Sequence, residues 1–178
     1  MRLTKSQRRF RELMLYLAKR SQGDPRFGAT KLNKQLLYCE LRSIQKFGKP
    51  MTKERYQKLP KGPAPRSLPP VVQEMEDQKK CVVSTQQYYG YTQKRLVPLV
   101  EPDLTVFTAE EIDLVNSVLE ELWEQDGTQV SDLSHKLIGW ELAEMKEDIP
   151  LGTILVGEPR ELGEEEQAFA RSLVGRVR

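Results

Sequence analysis

Residues 131–140 read SDLSHKLIGW and place Ser131, Asp132, Ser134 and the chain's single histidine, His135, side by side. A hydroxyl, a carboxylate and an imidazole are the parts of a serine hydrolase. That chemistry needs the hydroxyl on a strained turn, the imidazole within hydrogen-bond reach and a third group to orient the imidazole. The spacing argues against it. Neither serine lies in a GxSxG elbow, and neighbours i and i+1 on a helix point apart. No catalytic residue is assigned. With one histidine and two distant cysteines, Cys39 and Cys81, a metal site would have to be built mostly from carboxylates. The paired glutamates Glu110/Glu111 and Glu120/Glu121 fall at helical surface positions, so neither a metal nor a cofactor is expected. The same ten residues read more economically as architecture. Thr128 or Ser131 caps a short helix, and Val130 and Leu133 face the core. Ser134 and His135 satisfy backbone carbonyls where that helix ends before Gly139, and Trp140 anchors the next segment.

Two other stretches invite a binding role. KGPAPR (61–66) is glycine- and proline-rich with basic flanks, but it lacks the GxxxxGK[ST] pattern and loses backbone amides to proline, which makes it a poor anion cradle. As a rigid, exposed loop it costs little entropy on binding, and Tyr56, Leu59, Pro63 and Arg66 suit a protein interface. Arg2, Lys5, Arg8, Arg9 and Arg11, with Lys31 and Lys34, could instead contact nucleic-acid phosphates. No helix-turn-helix pair accompanies them, and a sequence pI of about 8.5 falls short of a strongly basic binder.

The elements that must position these residues are legible from periodicity. The chain of 178 residues is 38% hydrophobic, enough for one core and one domain, and it has no apolar run near the ~20 residues of a membrane span. The basic start, MRLTKSQRRF, runs into an amphipathic segment instead of an unbroken apolar one, so no signal peptide is read and a reducing cytoplasm is expected for the two thiols. Phe10, Leu13, Met14 and Leu17 predict a helix over about 5–20 with Arg8, Arg9 and Arg11 on its solvated side. Residues 1–9 are expected to form a flexible N-terminal extension. A second helix runs from about Thr30 through Phe47 and stops at FGKP. Ser67 is expected to cap a helix over about 68–80, with Leu68, Val71, Val72 and Met75 inward. CVVSTQQYYGYTQKRLVPLV, broken at Gly90, is the one convincing β-hairpin. Thr108 and Glu111 have capping-box spacing before the stripe Ile112, Val115, Leu119 and Leu122, and Gly127 is expected to be that helix's left-handed end. A last short helix is expected from about Glu164 to Leu173. The fold class is therefore α+β, predominantly α-helical, as a single domain with a small antiparallel β-hairpin and a C-terminal tail over 158–178.

A net charge of +2 conceals an asymmetry: residues 1–100 hold 22 Lys/Arg against 7 Asp/Glu, and residues 101–178 hold 6 against 19. Either the two halves pack together and neutralise each other, or a bipolar surface steers a charged partner.

Taken in order, FGATKLNKQLLYCE (27–40), FGKPMTKERYQKLPKGPAPRSL (47–68), YYGYTQKRL (88–96), FTAEE (107–111), SDLSHKLIGW and IPLGTILVG (149–157) resemble the Panacea (SocA-like) antitoxin domain of bacteria and their phages. Cys39 stands where an aromatic residue is expected and Glu40 where an aspartate is common, departures that bear on partner choice. The resemblance implies a mostly helical, non-enzymatic protein that neutralises a cognate toxin encoded next to it by direct binding. Operator DNA is a possible second partner, and no membrane partner or oligomeric state is implied. Family partners are diverse, including alarmone-synthetase-like and small membrane-active toxins, and one member delivers its toxin to a protease. The partner surface expected on this reading joins the 56–66 loop, the 88–95 turn and the SDLSH region, with Tyr56, Leu59, Pro63, Arg66, Tyr89, Tyr91, Asp132, His135 and Trp140 as its residues.

Overall fold

A computed structural model describes residues 3–135 and 137–155; Arg2, the Leu133 side chain and the helix expected near 164–173 lie outside the described part. Helix α1 (Lys5–Arg20) begins with a capping box in which Thr4 and Gln7 satisfy each other's amides, so residues 5–9 are helix and not an extension. It is not the half-solvated helix that periodicity suggests. Every residue from Phe10 to Ala18 is buried, Arg11 and Glu12 included. The helix is encased, and its polar members find partners at the wall: Arg11 meets Glu74, and Glu12 accepts from the Asp103 amide at 2.7 Å. Arg9, also expected in solvent, reaches Met51 O at 2.8 Å and Glu111 at 2.7 Å.

Around α1 pack α2 (Ala29–Phe47), α3 (Leu68–Asp77) and α4 (Ala109–Leu122), which supply Leu32, Leu36, Met75, Leu114, Val115, Val118 and Leu122 to one core. Helix α2 ends at Gly48, whose φ of +70° is the left-handed conformation that glycine adopts without strain. Helix α3 stops earlier than expected. Lys79 takes a φ of +55°, and the Lys79 and Lys80 amides turn back onto Glu76 O and Met75 O, closing a Schellman motif. Ser67 stands at the N-terminus of α3 but does not cap it; its hydroxyl donates to Glu54. The Thr108–Glu111 capping box of α4 is present as expected.

Two antiparallel sheets complete the domain. Strands β3 (Cys81–Tyr88) and β4 (Tyr91–Pro98) form the expected hairpin, closed by Tyr89 and Gly90, both at positive φ as a type I′ turn requires. The second sheet was not expected. KGPAPR is not an exposed loop: Gly62–Pro65 is a buried strand, β2, paired with β1 (Tyr56–Leu59), which in turn pairs with β5 (Asp148–Ile149) in the order β2-β1-β5. Pro63 and Pro65 have no amide to give to a ladder, which is tolerated because β2 is an edge strand.

Between α4 and β5 lie α5 (Gly127–His135) and α6 (Ile138–Leu142). Gly127 opens α5 and does not terminate α4. The cap is Asp126, which accepts from the Thr128 and Gln129 amides at 2.8 and 2.9 Å, and not Thr128 or Ser131. A 3₁₀ turn, Leu151–Leu155, follows β5. The charge asymmetry resolves into internal pairing: Arg8–Asp103, Arg9–Glu111, Lys19–Glu101, Arg26–Glu124, Arg42–Glu121, and both Arg55 and Arg66 on Asp148. Each pair joins a basic residue of the first hundred positions to an acidic residue of the remainder.

Candidate functional site

The SDLSHKLIGW segment holds the tip of the β1–β2 hairpin. Ser131, on α5, donates to Lys61 O at 3.1 Å, and Trp140, on α6, donates its indole N–H to Leu59 O at 3.3 Å. Lys34, on α2, donates to Pro63 O at 3.2 Å. Three side chains from three helices thus satisfy three carbonyls at and beside one turn, whose Pro60 and Lys61 are exposed while the strand that follows, Gly62–Pro65, is buried and lacks the amides of its two prolines. The fit leaves no room at Gly62. Its φ is +92°, and a Cβ there would strike both Lys34 Nζ and Ser134 Oγ. Beside the tip the His135 and Trp140 rings stack at 4.1 Å and 15°, and Lys58 Nζ lies 4.4 Å over the indole while donating to Ala143 O at 2.9 Å.

This geometry answers the hydrolase question. Ser131 Oγ donates to Lys61 O, and Ser134 Oγ donates to Ser131 O at 2.7 Å; neither hydroxyl is given to His135. His135 Nε2 is buried and has no hydrogen-bond partner among the described residues, so the imidazole does not satisfy a helix-end carbonyl either. Its part is the stack on Trp140. A nucleophile and base in register are missing among the described residues, and what stands there is a clasp.

The residues expected to contact a partner divide into groups. Leu59, Pro63, His135 and Trp140 come together at the clasp, with Pro63 buried and the other three half-buried. Tyr56 is a core residue, 1% exposed, packed with Leu37 and Leu41, and cannot be a contact residue. Arg66 is exposed but is committed to Asp148 and to Lys146 O, where it ties β2 to the β5 side. Asp132 is exposed on α5. Tyr89 and Tyr91 sit on the other hairpin and are 87% and 77% exposed. Cys39 and Glu40 are buried, so neither departure from the family pattern can reach a partner directly. Sequence reasoning missed Leu142 and Met145, exposed apolar side chains just beyond Trp140. It placed Lys34 among phosphate contacts and missed its burial, although its i, i+3, i+7 spacing with Leu37 and Leu41 on α2 was a readable signal.

Electrostatics single out α2. Lys31 is buried against Asp24 at 2.6 Å and Trp123 O at 2.8 Å, a pair that fastens the loop before α2; burial lowers the Lys31 pKa and Asp24 opposes that. One turn later Lys34 is as deeply buried with no carboxylate to oppose the cost, and desolvation pulls its pKa down to about 7. Glu40 accepts from the Met51 and Thr52 amides at 2.6 and 2.9 Å, yet burial still raises its pKa. Of the basic set proposed for phosphates, Lys31 and Lys34 are inside and Arg9 and Arg11 are paired within the fold, Lys5 and the Asp103-paired Arg8 are exposed, and Arg2 lies outside the described residues.

Fold and site together define a helix-dominated α+β domain whose polar centre is used to hold one of its own hairpins. The chain belongs to the antitoxin SocA-like, Panacea domain family, whose model matches residues 32–141 and gives it an antitoxin-like role. The match runs from the first turn of α2 through the clasp, a narrower span than the pieces that carry the resemblance, which run from Phe27 to Gly157. No curated protein and no solved structure matches the chain. No helix among the described residues is long and apolar enough to cross a membrane.

Proposed function

We propose that this protein is the cytoplasmic antitoxin of a bacterial or prophage toxin–antitoxin pair, and that it neutralises the cognate toxin encoded beside it by binding that toxin directly, without catalysing a reaction. The observation that carries this reading is the family match over residues 32–141, which spans both hairpins and the clasp. The exposed apolar side chains support it by offering two contact patches: Tyr89 and Tyr91 on the β3–β4 tip, and Leu142 and Met145 beside Trp140. Aromatic residues and methionine are enriched at protein interfaces, the former because they bury large areas with few torsions and the latter because it adapts to irregular surfaces. Arg66 leaves the contact set of this proposal, since reversing its charge would break the Asp148 ties.

The test is growth of a bacterial host expressing the neighbouring reading frame alone and together with this protein, followed by co-purification. Arrest by the neighbour, recovery with both and elution as one complex are expected. A harmless neighbour, or toxicity that persists despite soluble co-expression, would overturn the proposal. The half-life of the toxin in rescued cells separates its occlusion, in which it persists, from its delivery to a protease.

A further inference from the structure

Between the first turns of α2 and the β1–β2 tip lies a cleft of about 330 Å³, walled by Leu59, Pro60 and Pro63 opposite Thr30, Asn33 and Lys34. Two polar atoms in this wall lack what their chemistry asks for. Lys34 Nζ has three donors, and Pro63 O is its one acceptor among the described residues. Asn33 uses its Nδ2 on Ala29 O at 3.0 Å, which leaves a buried Oδ1 with no donor. The contrast with Lys31 is direct. The same side chain, one turn away and equally buried, has Asp24 and Trp123 O to meet it. An ammonium kept from water without a counter-charge is costly and tends to give up its proton, so a buried lysine facing an apolar cleft with donors to spare is a place that an anion supplied from outside would stabilise.

We propose that this cleft binds the carboxyl terminus of a polypeptide whose last residue is apolar. The terminal carboxylate accepts from Lys34, the last peptide N–H donates to Asn33 Oδ1, and the last side chain lies on Leu59, Pro60 and Pro63. A peptide terminus carries an anion, a donor and an apolar group on one residue, which is the combination the walls present. That this polypeptide is the toxin rests on the antitoxin reading; the chemistry of the cleft does not.

The test uses the full chain, labelled with ¹⁵N, and three probes: N-acetyl-Ala-Leu with a free carboxylate, the same peptide as its carboxamide, and N-acetyl-Glu-N-methylamide. The free-acid peptide should move the amide resonances of Asn33, Lys34 and Gly62 and bind at least about tenfold more tightly than its amide, since a charge-assisted bond is lost in the latter. Lys34→Met should remove that difference, and Asn33→Leu should weaken both peptides. Affinity for the acid should fall about tenfold per unit as pH rises above 7, where Lys34 loses its proton in the empty cleft, and stay level just below it. Of the other charged or titratable groups among the described residues, Lys61 lines the cleft, His135 lies against Gly62 in its wall, Lys58 and Asp132 stand on the same hairpin and on α5, and Lys31 with its Asp24 partner is one turn before Lys34 on α2. His135→Phe must therefore leave the pH step in place.

Equal binding of acid and amide, equal binding of the glutamate probe, or shifts that map elsewhere would each overturn the proposal. The acid-to-amide comparison on the unaltered chain decides the matter even if Lys34→Met fails to fold. A chain that neutralises its neighbour but shows no acid-to-amide difference sinks the cleft alone. A chain that binds the acid beside a harmless neighbour sinks the antitoxin reading alone.

Discussion

Both hairpins close over two residues, Pro60-Lys61 in one and Tyr89-Gly90 in the other, yet they are held in opposite ways. The β3–β4 pair carries its own stability: eight residues a strand, a complete ladder and a type I′ turn that matches the twist of the strands. Its base is anchored where Leu96 and Cys81 enter the core and Arg95 donates to Asp24 O at 2.8 Å, and its tip projects. The β1–β2 pair has four residues a strand and two prolines in β2. It borrows its stability from Ser131, Trp140 and Lys34. A hairpin that folds by its own pattern is free to present its tip, whereas one that must be clasped is fixed by whatever clasps it.

The sharpest way to break this comparison is at the turn glycines. Gly62→Ala puts a Cβ against Lys34 and Ser134 at a φ of +92°, and should cost about 3 kcal/mol or more, with clash and strain acting together. Gly90→Ala meets nothing within 4 Å at a φ of +80° and should cost about 1 kcal/mol. Urea unfolding of the two variants reads the difference, and equal losses would mean that the clasp does not hold the first hairpin. Trp140→Ala comes next. It removes the Leu59 bond, the His135 stack and the Lys58 contact together, and should cost about 2 kcal/mol because the indole is only half-buried. Trp140→Phe keeps the ring and loses the N–H, and should recover about half of that in the same assay.

The difference between the hairpins also explains what the sequence disclosed. Enrichment in Val, Tyr and Thr broken at Gly90 announces β3–β4, and Thr108 with Glu111 announces α4, because the information is local. Residues 61–66 have no such enrichment. Their strand exists because helices about 30 residues before and 70 residues after it supply the missing hydrogen bonds. The encasement of α1 was hidden for the same reason: Arg9 and Arg11 look solvent-bound until Glu111 and Glu74 arrive from positions far along the chain. Of the expected contact residues, those on the self-sufficient hairpin are exposed, and those on the clasped one are largely used up inside.

Lys34→Met sharpens the comparison from the clasp side. The folded pKa of about 7 lies below the ordinary 10.5, so between those values the unfolded chain binds more protons and stability rises with pH. That contribution is complete above 10.5 and is lost as pH falls toward 7. From pH 7 to about 9 the unaltered protein should therefore gain stability relative to Lys34→Met at up to about 1.4 kcal/mol per unit. Parallel curves would show that Lys34 is charged and paired in the fold.

The smallest effect on stability is expected at Tyr89 and Tyr91. With their side chains in solvent and the ladder intact beneath them, the double change to alanine should stay within about 0.5 kcal/mol of the starting protein. Tyr88 packs edge-on against Tyr89 at 4.8 Å, a contact worth little at an exposed site. Neutralisation in the growth assay should nevertheless fall if this tip meets the toxin, because aromatic anchors at an interface commonly carry more than 1 kcal/mol each. Leu142→Ser with Met145→Ser applies the same logic to the patch beside Trp140. A loss confined to the tyrosines assigns recognition to the projecting hairpin and leaves the clasp as scaffold. A loss confined to Leu142 and Met145 reverses the roles, placing the partner beside Trp140 at the clasp.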